Sequence, residues 1–218
     1  MTPQLGLFLS AIAFVGLHFL MSHPLRAPLV RAMGERPFRG VYSLISILTF
    51  GSMIYFYHRI GREADRLWDA GDAGWIAGTI LMWFAAILLV GSFIRNPALP
   101  GAPGPRGGPT GVFRITRHPM MWSFAIWAAV HMMLLGMPKT LFFDGPIIIL
   151  ALFGAAGQDA KKKRLMGDAW HEWTAQTAFI PFTRGIGNPG AVALIGGTAL
   201  FFLATWVHPI PAGFWRWL

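Results

Sequence analysis

The 218-residue sequence contains no cysteine. That absence excludes a disulfide framework, a thiolate-held haem or zinc, an iron–sulfur cluster and a cysteine nucleophile. Charge is also scarce: Asp, Glu, Lys and Arg make up 12% of the chain, about half the ~25% of a soluble domain. Acidic charge is the scarcer sign, with nine Asp and Glu against 18 Lys and Arg and a formal charge of +9. No HExxH zinc motif occurs, since His171-Glu172 lacks a second histidine at the required spacing. The glycines of 101–111 lack the strand-then-helix setting of a dinucleotide fingerprint. Metal or redox chemistry must therefore draw on His, Met, Tyr or carboxylates.

What the sequence has in quantity is apolar length: 55% hydrophobic residues and a mean hydropathy of +0.52. Runs able to cross a hydrocarbon layer of about 30 Å fall at 4–22, 40–57, 74–94, 120–137, 140–157 and 190–207. The reading is an all-α polytopic bundle of about six transmembrane helices, a single membrane domain over 1–218 whose partner is the lipid bilayer. The first run has no Lys or Arg before it and no small-residue cleavage site after it, so it reads as a mature span.

Thirteen basic residues then fall in odd-numbered connections: Arg26, Arg31, Arg36, Arg39, Arg95, Arg106, Arg114, Arg117, Lys161, Lys162, Lys163, Arg164 and Arg184. Arg59, Arg62, Arg66, Lys139 and Arg216 fall on the other side. This bias predicts odd loops inside and both termini outside. It also accounts for the net charge without nucleic acid as a partner.

Two connections carry more than linkage. Residues 96–111 hold five Pro and five Gly, too helix-averse for a span, and lead into Arg114-Ile115-Thr116-Arg117-His118-Pro119. Either a plain loop or a lid over a cavity fits this segment. Residues 158–187 run from Lys161–Arg164 through Trp170 and Trp173 to Phe179-Ile180-Pro181-Phe182, and read as an interfacial helix or a solvated charge run. Trp68, Trp75, Trp215 and Trp217 suit an aromatic belt at the outer ends.

Of seven histidines, His18 and His131 lie within apolar runs. Each needs a partner at lipid depth, by an interhelical hydrogen bond or, as a pair, by clasping a haem iron. His58 ends the second run and is either a snorkelling side chain or a third, exchangeable ligand. Arg117 and His118 stand where the fourth run begins, placed to meet an anionic group such as a haem propionate or a lipid headgroup. Asp144, near the outer end of the fifth run, either orients His131 or pairs with Lys139. The eleven methionines read as core filler. Counted along the helices, His18 lies ~6 Å from the inner end of its span and His131 ~18 Å from the start of its own. The His58 and His131 pair is geometrically no worse than His18 and His131.

Several stretches resemble the NnrU family. They are Gly16-Leu17-His18-Phe19, Ser22-His23-Pro24-Leu25-Arg26, Gly34-Glu35-Arg36-Pro37-Phe38-Arg39-Gly40, Arg114-Ile115-Thr116-Arg117-His118-Pro119 followed by Trp122, Trp127 and His131, and the late run Gly167, Trp170, Trp173, Phe179-Ile180-Pro181-Phe182. The likeness covers about 5–185, with the run at 190–207 outside it. It implies an integral membrane protein, in a bacterium an inner-membrane one. In the branch that isomerises zeta-carotene in carotenoid biosynthesis, it implies haem b held by two histidines and rotation of a central cis double bond when the iron is reduced. The axial positions of that branch fall on His18 and His131, an exchangeable ligand falls on His58, and His118 matches the motif histidine. Bulky Phe19-Leu20-Met21 after the first histidine departs from that pattern.

The bacterial branch is associated with nitrite and nitric oxide metabolism, and so with denitrification. It supplies the alternative of a non-catalytic haem protein responsive to gas or redox state. Arg117-His118-Pro119 and Ile180-Pro181-Phe182 also resemble membrane methyltransferases and sterol reductases, with Asp159 and Glu172 as a thin version of their acidic motif. A hydrophobic small molecule is the expected substrate class. Substrate identity and oligomeric state are not set by the sequence.

Overall fold

The computed structural model describes residues 1–61, 66–99, 102 and 104–218. Arg62 and three positions of the Pro/Gly-rich connection, 100, 101 and 103, lie outside them. Among the described residues the chain is all-helical: α1 (Pro3–Ser22), α2 (Arg26–Met33), α3 (Glu35–Ile60), α4 (Gly71–Gly91), α5 (Pro119–Leu135), α6 (Pro138–Met166), α7 (Asp168–Gln176) and α8 (Ala191–Trp206), with 3-10 turns at Gly111–Arg114 and Gly213–Trp217. Each apolar run has its helix. Four of these, α1, α3, α4 and α6, are long and apolar enough to cross a membrane, while α5 and α8 are apolar but shorter, at 17 and 16 residues.

Helix starts follow local chemistry. The Thr2 hydroxyl accepts from the Leu5 N–H at 3.3 Å and Pro3 opens the first turn of α1, where its missing N–H costs nothing. Pro119 and Pro138 open α5 and α6 in the same way. Helices do not stop where apolarity stops. Helix α6 runs on through Gln158, Ala160 and Lys161–Arg164 to Met166, because these are good helix formers. It ends at Gly167, with φ 56°, a conformation that glycine adopts without strain. The expected single interfacial helix in 158–187 is thus the tail of α6, a glycine break, and the separate α7.

The chain divides into two compact units, 1–70 with 131–150 and 71–130 with 151–218. In the first unit α1 packs along α3, with Leu7, Ala11, Phe14 and Met53 buried and Phe50, Phe56, Tyr57, Phe143 and Ile147 against them. The Trp68 indole donates to the Met133 carbonyl at 2.8 Å, and the Leu67 N–H to that of Gly136 at 2.7 Å. Gly136 has φ 56° and lies so close to the Trp68 carbonyl that a Cβ would collide with it.

In the second unit α4 packs along α8. Gly197 brings α8 so near α4 that a Cβ there would lie 2.5 Å from Ile87 Cα, and the Trp83 indole donates to Thr198 Oγ1 at 2.9 Å. Lipid tails are as apolar as leucine, so helices gain little from hydrophobicity alone. Close backbone approach and interhelical hydrogen bonds hold them. A second cluster, Ile87, Leu88, Ala98, Val112, Phe113, Ile115, Trp170, Trp173 and Ala193, fills the same unit. Trp170 and Trp173 are core residues there, 1% and 5% exposed, and not the boundary residues the sequence suggested. Trp75 is likewise buried, beneath the Arg216 guanidinium at 3.9 Å.

Candidate functional site

Within the first unit, His18 has both ring nitrogens facing a hydrogen-bonding atom. It lies in the last turns of α1, half-buried, and Nδ1–H donates to the Phe14 carbonyl one turn back at 2.6 Å. That bond fixes the tautomer and leaves the lone pair on Nε2. Nε2 faces Ser46 Oγ of α3 at 3.1 Å. Ser46 has one hydroxyl proton, and it donates to the Tyr42 carbonyl at 2.8 Å. A nitrogen lone pair is thereby held at an interhelical position by a carbonyl behind it, the arrangement by which proteins orient a metal-ligating imidazole. Phe14 and Tyr42 flank the ring edge-on, with centroids at 4.5 and 5.4 Å. Tyr42 in turn shares a hydrogen bond with Ser22 at 3.2 Å.

The other histidines are placed differently. His58 is exposed near the end of α3, edge-on to Tyr57 with ring centroids 6.0 Å apart. Twelve residues separate it from Ser46 on one helix, or about 18 Å along the axis, so it does not meet His18. His131 is half-buried near the end of α5, two residues before the Met133 carbonyl that takes the Trp68 indole. Among the described residues no group of three or more His, Asp or Glu is arranged to hold a metal ion. Asp144 is 3% exposed, and among the described residues its Oδ1 has no hydrogen-bond partner. Lys139 turns instead to the Gly61 carbonyl and stands 4.7 Å over the Tyr57 ring.

In the second unit, Arg117 and His118 share a residue that sequence reasoning valued too little, Asp159 of α6. Arg117 Nε and Nη2 donate to its carboxylate at 2.8 and 2.6 Å, and His118 Nε2 lies 2.9 Å from Oδ1. Arg117 Nη1 also donates to the Thr177 carbonyl at 3.1 Å and its backbone N–H to that of Ala178 at 2.8 Å. Thr116 Oγ1 and the Trp122 indole both donate to the Phe179 carbonyl, at 2.7 and 2.8 Å, and the guanidinium lies 5.2 Å over the Phe179 ring. The Thr-Arg-His-Pro motif and the Phe-Ile-Pro-Phe run are therefore two sides of one clasp. The His118 side chain has no exposure and Arg117 only 13%. Both are turned inward to a carboxylate, where the sequence had them facing an anion at a mouth. Glu172, the other acid considered, is exposed. The signal for Asp159 was its isolation, as the one acid between Asp144 and Asp168, just past an apolar run and in a chain with a buried Arg-His pair to satisfy.

These features define an all-helical protein with helices fit to cross a membrane, an oriented interhelical histidine, and a separate Arg-His-Asp clasp. It belongs to the NnrU family: the family described as NnrU protein matches residues 6–215, a match that extends beyond 185 and takes in α8. Two curated relatives are named 15-cis-zeta-carotene isomerase, chloroplastic. That of Arabidopsis thaliana is 26% identical over 190 residues, 83% of this chain and 50% of the relative. That of Zea mays is 28% identical over 189 residues, 82% and 50%. The chain thus spans about half the length of the curated relatives it matches. No solved structure matches.

Proposed function

We propose that this NnrU protein is a membrane-embedded, haem b-dependent cis–trans isomerase of a polyene, in which His18 and His131 would hold the haem. The observation that carries the reading is the His18 tautomer: Nδ1–H is committed to the Phe14 carbonyl at 2.6 Å, which leaves Nε2 basic and facing α3. The donor set fits the group, because haem needs two imidazoles and no thiolate. When bound, haem supplies a redox-switchable iron able to lower the order of a neighbouring double bond. The chain's own residues do the rest. The Phe14 carbonyl fixes the ring's tautomer, Phe14 and Tyr42 flank the ring, and Ser46 Oγ, which stands within bonding distance of both Nε2 and the Tyr42 carbonyl, would keep the Tyr42 bond and yield Nε2 to the iron. His58, exposed and ~18 Å along α3 from Ser46, stands apart from His18. Arg117 and His118 are left to the Asp159 clasp.

Purified protein reconstituted with haem should show a Soret band that shifts on reduction, lost in His18→Ala and kept in His58→Ala. Reduced protein given a poly-cis carotene should change its isomer profile on chromatography. A Soret band without isomer change would favour a non-catalytic haem protein of nitrogen-oxide metabolism. Colourless protein that binds S-adenosylmethionine or NADPH would overturn the haem reading.

A further inference from the structure

We propose that the elbow joining α1 to α3 is a docking surface for anionic phospholipid headgroups. From residue 1 to residue 61 the sequence holds one carboxylate, Glu35, and it is consumed locally: Arg26 Nη2 donates to both its oxygens, at 2.7 and 3.0 Å. Three arginines remain on the same short stretch, Arg31 in the last turn of α2 and Arg36 and Arg39 in the first turns of α3. All three are exposed, and among the described residues no ion pair involves any of them. The elbow therefore carries three uncompensated positive charges.

Its shape suits a membrane surface. Helix α2 has no buried residue, yet Leu25, Leu29 and Met33 recur every four positions at or along it, and Leu25 is 42% exposed. An apolar stripe on a short basic helix that touches its neighbours but buries none of its own residues is the pattern of a helix lying in a lipid interface. It connects two helices long enough to cross a membrane, so it stands at the end of that hairpin, where headgroups are. Arg36 and Arg39, one turn apart on α3, extend the basic side along the hairpin's flank. Guanidinium forks match phosphate oxygens in pairs, and basic clusters next to a span attract acidic lipids. Phospholipid phosphate is thus the complement that charge and position share.

The test uses the full-length protein in phosphatidylcholine vesicles doped with spin-labelled phosphatidylglycerol or spin-labelled phosphatidylcholine, with the motionally restricted fraction read by electron paramagnetic resonance. At low salt the wild type should restrict phosphatidylglycerol about fivefold more strongly than phosphatidylcholine, and the preference should shrink with added salt. The triple variant Arg31→Gln, Arg36→Gln, Arg39→Gln should lose it. The three matching Lys variants, which keep charge, should retain most of it, and Arg59→Gln at the far end of α3 should change nothing. Equal restriction of both lipids by the wild type, or full selectivity in the Gln variant, overturns the proposal. Displacement of the labelled phosphatidylglycerol by inorganic phosphate at constant ionic strength would overturn it in favour of a soluble anion.

Discussion

The two units handle an interior histidine in opposite ways. In the first, His18 is bonded through one nitrogen to its own helix, while its other nitrogen faces a hydroxyl whose proton goes to the Tyr42 carbonyl. In the second, His118 is directed at a carboxylate that an arginine also holds. One arrangement keeps a lone pair available and costs little to disturb, while the other spends every charge on joining a loop to a helix. The Nε2 atom of His18 faces a neutral hydroxyl and that of His118 a carboxylate, so two interior imidazoles meet different chemistry.

The largest expected effect lies in the clasp. Asp159→Ala leaves Arg117 and His118 buried without their acceptor and should cost about 3 kcal/mol, since removing one partner of a buried pair strands the other's charge. Thermal unfolding in detergent should show a large drop in midpoint, with Asp159→Asn intermediate. A loss below about 1 kcal/mol would break the contrast, because the clasp would then hold no more than an ordinary hydrogen bond.

Next come the glycines at the two helix contacts. Gly197→Ala would set a Cβ 2.5 Å from the Ile87 backbone, whereas Gly6→Ala would meet the Phe56 ring at the same distance. A ring can turn and a helix backbone cannot, so Gly197→Ala should cost about 1–3 kcal/mol or more and Gly6→Ala clearly less. Equal losses would mean that Phe56 is as fixed as α4.

The smallest effect belongs to Ser46→Ala. It removes a hydroxyl bonded mainly within its own helix, so stability should fall by about 1 kcal/mol at most. Haem uptake, read from the Soret band, should be unchanged or higher because nothing then contends for Nε2. A large loss of uptake would show that Ser46 holds His18 in place.

Apolar length is a local property, so the six apolar helices were legible at the sequence level. Their ends were less so. Helix α3 starts at Glu35 and not at 40, and α6 continues to Met166 past 157, since propensity, caps and glycine breaks set ends, and hydropathy does not. His18 was legible as a residue in need of a partner, but the hydroxyl opposite it comes from 28 positions away, a pairing that no local pattern announces. The clasp was hidden for the same reason: Asp159 and Arg117 lie 42 positions apart. Trp170 and Trp173 looked interfacial because their helix is amphipathic, and amphipathicity does not say whether the apolar side meets lipid or protein.

Helix α6 is 29 residues long, about 43 Å at 1.5 Å per residue, and exceeds a ~30 Å hydrocarbon layer by roughly 13 Å. Asp159 stands 21 residues after Pro138, about 32 Å along the axis, just where such a layer would end. Were the hydrocarbon layer to begin at Pro138, the depth of the Arg117 anchor would be tied to lipid chain length. A thicker bilayer would then draw the ion pair toward hydrocarbon, a thinner one would release it to water, and the choice of host lipid would become a setting on how firmly the motif loop is moored.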